Sequence, residues 1–148
     1  IVDKEQKKVN STLGHRMMEG HPFAAQRFEQ AHQKMAALKN VLSTGDLNQF
    51  IDITEGEALS LHALMMTSQP QFLLMQPQTL AIIQKIWHFR SQSHLPLCFT
   101  LDAGANVHLL YPQQDRVSIM DFIKNEISSY CQNGEYILDQ VGNGAQKI

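Results

Sequence analysis

With 148 residues, 43% apolar and 18% charged side chains, the chain is long enough for one domain to bury a core without disulfides or a structural metal. Its net charge of −2 advertises no basic face for nucleic acid, and no apolar run approaches the ~20 residues that cross a bilayer. No secretory pattern opens it, so a cytoplasmic setting is expected, with Cys98 and Cys131 as free, buried thiols.

The first residue is Ile1, and I-V-D-K-E-Q-K-K-V already has strand character. This predicts a strand over residues 1–12 and a chain that begins inside a structural element, as a piece of a longer protein. After the polar Asn10-Ser11-Thr12 and Gly14, a helix starts near Pro22. Phe28, Ala31, Met35, Leu38 and Leu42 recur every three or four residues and define its expected inner stripe, with Gly45 as its stop. Asp46, with Gln49 three residues on, has the spacing of a capping box and starts a second helix. Its stripe is Leu47, Phe50, Ile51, Thr54, Ala58, Leu61 and Met65. Gly56 inside it costs about 1 kcal/mol relative to Ala and signals a kink or a close approach.

Pro70 and Pro77 bracket an apolar connection, and a third helix turns Leu80, Ile83 and Trp87 inward. Residues 97–101 and 106–111 predict two strands joined as a hairpin by four residues. A helix over about 114–131 carries Ile119, Phe122, Ile123, Ile127 and Tyr130, and Tyr136-Ile137-Leu138 is a last strand. The predicted order β-α-α-α-β-β-α-β is α+β: a small antiparallel sheet of about four strands covered by helices, in one domain spanning 1–148.

Chemistry concentrates at Cys98–Asn106. An apolar strand runs into Asp102 and then Ala103-Gly104-Ala105, residues too small to block a ligand. A carboxylate at a strand end suits a general base or an orienting group for a hydroxyl, and equally suits a tight turn. Ser11 and Thr12, with Lys7 and Lys8 upstream, offer hydroxyls and charge to a phosphate or simply form a polar loop. No phosphate loop of the Walker type and no G-x-G-x-x-G is present. The seven histidines show no H-E-x-x-H or other metal spacing; His62 stands alone on the second helix. Glu55 and Glu57 are two apart and do not share a face, which sends at least one of them to solvent. The paired Met17-Met18 and Met65-Met66, with Met75, fit gap-filling or an apolar patch covered by another domain.

Three segments together resemble the C-terminal domain of the diphosphomevalonate decarboxylase family, in the GHMP kinase superfamily. Phe99-Thr100-Leu101-Asp102-Ala103-Gly104-Ala105-Asn106 resembles the family's F-T-x-D-A-G-P-N signature, with Ala105 in place of Pro. Lys8-Val9-Asn10-Ser11-Thr12-Leu13-Gly14 resembles its K-x-x-S-T/S-x-G segment, and Leu61-His62-Ala63 its helical F/M-H-A step. The resemblance implies a ferredoxin-like sheet-and-helix domain whose partner, an N-terminal ATP-binding domain, lies outside this chain. It implies ATP and Mg2+ as cofactors and mevalonate 5-diphosphate as substrate, converted to isopentenyl diphosphate, CO2, ADP and phosphate. Asp102 matches the family's catalytic aspartate, and Ser11, Thr12 and Gly104 are the implied substrate- and phosphate-binding positions. A homodimer of the full protein is expected, and this piece alone is expected to be inactive. The alternatives are a related small-molecule kinase, a decarboxylase of mevalonate 5-phosphate, and a non-enzymatic α+β module that binds protein through its methionines.

Overall fold

The computed structural model describes residues 20–142 and 144. The first expected strand therefore lies outside the described residues, as do Ser11, Thr12, Met17 and Met18. Three helices come first: α1 (Ala24–Thr44), α2 (Leu47–Thr67) and α3 (Pro77–Ser93). A hairpin of β1 (Cys98–Leu101) and β2 (Val107–Leu110) follows, then α4 (Arg116–Phe122). From α4 the chain continues through a π turn at Ile123–Ile127 and a 3-10 turn at Ser128–Tyr130. The helix expected over 114–131 is thus a composite of these pieces, entered through a 3-10 turn at Gln113–Asp115.

The joint between α1 and α2 forms where the sequence places it. Gly45 takes the left-handed conformation at φ 75° and returns its N–H to the Val41 carbonyl, which ends α1. Asp46 then accepts from the Gln49 N–H at 3.0 Å and starts α2. α1, however, does not bury its apolar stripe. Phe28, Met35 and Leu42 are 56%, 53% and 67% exposed, while Arg27, Lys34 and Val41, one residue earlier in each turn, face inward. One residue is a rotation of about 100°. The cause is Glu57 on α2, which pairs with Arg27 and with Lys34 and draws those cations into the helix interface. Gly56 has its explanation here too: a Cβ on it would sit 3.1 Å from the Lys34 ammonium nitrogen. The glycine marks a close approach.

α2 packs between α1 on one side and β1 on the other, and its buried residues include Ile51, Ala58, His62 and Met65. α3 starts on a reciprocal cap between Gln76 and Thr79 with Pro77 in its first turn, where no N–H is needed. It buries Thr79, Ile82, Ile83 and Ile86, and leaves Leu80 and Trp87 half exposed. The core lies between α3, the hairpin and α4. Ile86, Leu97, Phe99 and Ile119 are fully buried in it, and Phe89 stacks on Phe122 with ring centroids 4.1 Å apart.

β1 and β2 pair antiparallel, Leu101 opposite Val107 and Cys98 opposite Leu110. The hairpin connection is therefore 102–106, one residue longer than expected. Among the described residues the sheet has these two strands. The strand expected at 136–138 is extended chain without a ladder: Ile137 is 79% exposed, and only Tyr136 packs on the core. Three residues form a strand only when a neighbour supplies the hydrogen bonds, and no described segment lies alongside to do so. No helix among the described residues is long and apolar enough to cross a membrane.

Candidate active site

β1 delivers Asp102 to the surface from a fixed base. Phe99 is fully buried and Leu101 nearly so, while Asp102, the next residue, is exposed. The loop it opens is tied inward by two carbonyls. Asp102 O accepts from the Gly104 N–H at 2.8 Å and lies 3.0 Å from Nε2 of His62 on α2. A carbonyl can only accept, so His62 Nε2 carries the proton. At the other end, Ala105 O accepts from the Thr79 hydroxyl at 2.7 Å. Thr79 Oγ1 in turn accepts from the Gln76 N–H at 3.1 Å, which leaves its single proton for Ala105.

His62 is 1% exposed. Burial lowers its pKa below the usual 6.5, and the bond to Asp102 O and the nearby Asp102 carboxylate offset only part of that effect. The ring is neutral near pH 7. Gly104 lies beside the carboxylate: a Cβ there would come within 3.2 Å of Asp102 Oδ1. Ala103 is half buried, and Ala105 packs its methyl against the core.

Behind β1 lies a charged anchor. Glu55 on α2 accepts from Trp87 Nε1 at 2.8 Å and from both terminal nitrogens of Arg90, at 2.6 and 3.1 Å. Arg90 also donates to Leu97 O at 2.8 Å, at the entrance to β1. The hydrogen bond to Glu55 raises the Arg90 pKa, and burial with the Glu55 charge pushes the Cys98 thiol up to about 12. Cys98 is therefore a neutral core thiol. Cys131 is also a free thiol.

Of the site residues expected from sequence, Asp102 and Gly104 come together, and Ser11 and Thr12 lie outside the described residues. The expectation that Glu55 or Glu57 reaches open solvent is corrected. Glu55 is buried against Arg90 and Trp87, and Glu57 is half buried against Arg27 and Lys34. Of the methionines, Met65 is buried, Met66 is 39% exposed and Met75 packs against the core. Sequence reasoning missed His62 and Thr79 as partners of the loop. The available signal was a polar residue on a buried face: His62 is four residues after Ala58 and three before Met65, and Thr79 is three before Ile82.

Residues 1–146 match the family model for the mevalonate 5-diphosphate decarboxylase C-terminal domain. The chain belongs to that family. Its α+β fold is the fold of the mevalonate diphosphate decarboxylase from Legionella pneumophila, with a TM-score of 0.79 and 27% identity over 86% of this chain and 40% of that one. A phosphomevalonate decarboxylase from Haloferax volcanii is 29% identical over 91 residues, 62% of this chain and 28% of that protein. The structure of MDDEF in complex with MVAPP, AMPPCP and magnesium shares the fold at a TM-score of 0.79 and 22% identity, over 87% of this chain and 39% of that one. The chain spans 28% to 34% of the length of the curated relatives it matches.

Proposed function

We propose that this chain is the C-terminal half of an ATP-dependent decarboxylase that converts mevalonate 5-diphosphate to isopentenyl diphosphate, CO2, ADP and phosphate. The observation that carries this reading is the exposed Asp102 carboxylate, presented at the end of a buried strand in a loop tied to two helices, within a chain of this family. Asp102 orients the tertiary 3-hydroxyl and takes its proton as the γ-phosphoryl group of ATP is transferred to that oxygen. Phosphoryl transfer relies on positioning and electrostatics, so one well-held carboxylate is a fitting share for this domain. The 3-phosphate then leaves as the carboxylate is lost as CO2, its bonding pair forming the double bond of the product.

ATP and Mg2+ are the cofactors in this reading, in keeping with the nucleotide analogue and magnesium bound by a structural relative. Ser11, Thr12 and Gly104 serve as phosphate-side contacts, and an N-terminal domain of the same protein completes the nucleotide site. The protein works in the cytoplasm as a homodimer. The Haloferax relative motivates a second reading, in which the substrate is mevalonate 5-phosphate.

The test is release of ADP and CO2 by the intact enzyme with mevalonate 5-diphosphate. Equal release of both is expected, with kcat reduced roughly 10²–10⁴-fold in Asp102→Asn. Release of ADP alone would move the assignment to a kinase, and turnover only of the 5-phosphate would select the second reading.

A further inference from the structure

The hairpin loop is held by buried side chains that come from two different helices. His62 on α2 is 1% exposed and donates to Asp102 O; Thr79 on α3 is fully buried and donates to Ala105 O. These contacts fall near the two ends of the segment between the Leu101–Val107 strand pair. Fixing the Asp102 carbonyl fixes the plane of the peptide that follows Asp102. Strand pairing at Leu101 fixes the chain that precedes it. Between them the Cα–Cβ direction of Asp102 is set, while its carboxylate stays exposed.

We propose that His62 and Thr79 are positioning residues that clamp the 102–106 loop at its two ends and so aim the Asp102 carboxylate. Neither touches substrate, since both are buried; each acts through a loop carbonyl. The clamp ties the loop to α2 and α3, elements that also form the walls of the core, so the carboxylate is aimed by the rigid body of the domain. The kinetic part of this proposal rests on the decarboxylase reading.

Two pairs of variants test it in the intact enzyme. His62→Leu and Thr79→Val remove each donor, while His62→Gln and Thr79→Ser keep an N–H or O–H in reach. The donor-deleting variants are expected to lower kcat roughly 10–100-fold, as a misplaced reacting group does, with KM for mevalonate 5-diphosphate changed by less than about 3-fold. They are also expected to speed hydrogen exchange at the Gly104 amide, which bonds the clamped Asp102 carbonyl. His62→Gln and Thr79→Ser recover most of both effects. Thr79→Val conserves shape but also gives up the acceptor for the Gln76 N–H, so Gly104 exchange and kcat, and not stability, are its readouts if His62→Leu fails to fold.

Leu and Val variants that melt cooperatively and keep wild-type kcat and Gly104 exchange would overturn the clamp. So would kinetic losses that the donor-keeping variants fail to recover, because that pattern belongs to packing alone. A wild-type enzyme that releases neither ADP nor CO2 overturns the decarboxylase reading instead, and Gly104 exchange then decides the clamp by itself.

Discussion

At the scale of single residues, the site works by contrast between an exposed charge and buried neutral groups. Asp102 stands in water while His62, whose Nε2 meets its carbonyl, is buried and stays neutral. The lowered pKa of His62 makes stability depend on pH. Because the unfolded chain takes up this proton near pH 6.5 and the folded chain only lower, stability is full above 6.5. It is lost as pH falls toward the folded value. Urea midpoints for this chain are expected to drop between about pH 7.5 and 5.5, and to drop less in His62→Gln. Equal slopes in the two proteins would mean that His62 titrates like a free imidazole. Gly104 makes the complementary point. Its φ demands no glycine; what matters is the 3.2 Å between a would-be Cβ and Asp102 Oδ1.

At the scale of elements, the hairpin is placed by a charged group. Glu55 ties α2 to α3 through Trp87 and Arg90, and Arg90 extends the tie to the Leu97 carbonyl at the entrance to β1. Removing one partner of such a pair leaves a poorly solvated charge, whereas removing both leaves none. Glu55→Leu is therefore expected to cost about 3 kcal/mol, the low end for buried pairs because Arg90 keeps 26% of its side chain exposed. Adding Arg90→Met should recover much of that loss. Denaturant unfolding of the three proteins checks this, and additive losses would show that the charges contribute independently. The pairing of α1 with α2 follows the same physics. Glu57 recruits Arg27 and Lys34 to the interface and leaves Phe28, Met35 and Leu42 outside.

At the scale of the whole molecule, the described residues supply the aspartate loop and a core that fixes it. In the proposed enzyme the nucleotide contacts belong to another domain. This chain by itself is then expected to give no calorimetric signal with ATP and Mg2+ in the micromolar range. A Kd of about 10 µM, some −7 kcal/mol, would place a nucleotide site within these 148 residues and overturn that division of labour.

The helix boundaries at Gly45, Asp46 and Pro77, the hairpin, the α+β class and the Asp102 loop are legible in the chain's own residues, because each has a local cause. A left-handed glycine, a capping carboxylate, a proline in the first turn and a run of β-branched and apolar residues act on their own neighbours. The family was legible for the same reason, since its signature is a contiguous stretch ending in Asp102-Ala103-Gly104. Long-range packing sets which face of α1 is buried, where Glu55 and Glu57 go, and whether 136–138 finds a strand partner among the described residues. Each of these depends on a partner brought from far along the chain: Arg90 for Glu55, Arg27 and Lys34 for Glu57, and a neighbouring strand for Tyr136-Ile137-Leu138. The same holds for the clamp. His62 and Thr79 are 40 and 26 residues from the carbonyls they hold, a separation that no local spacing rule spans.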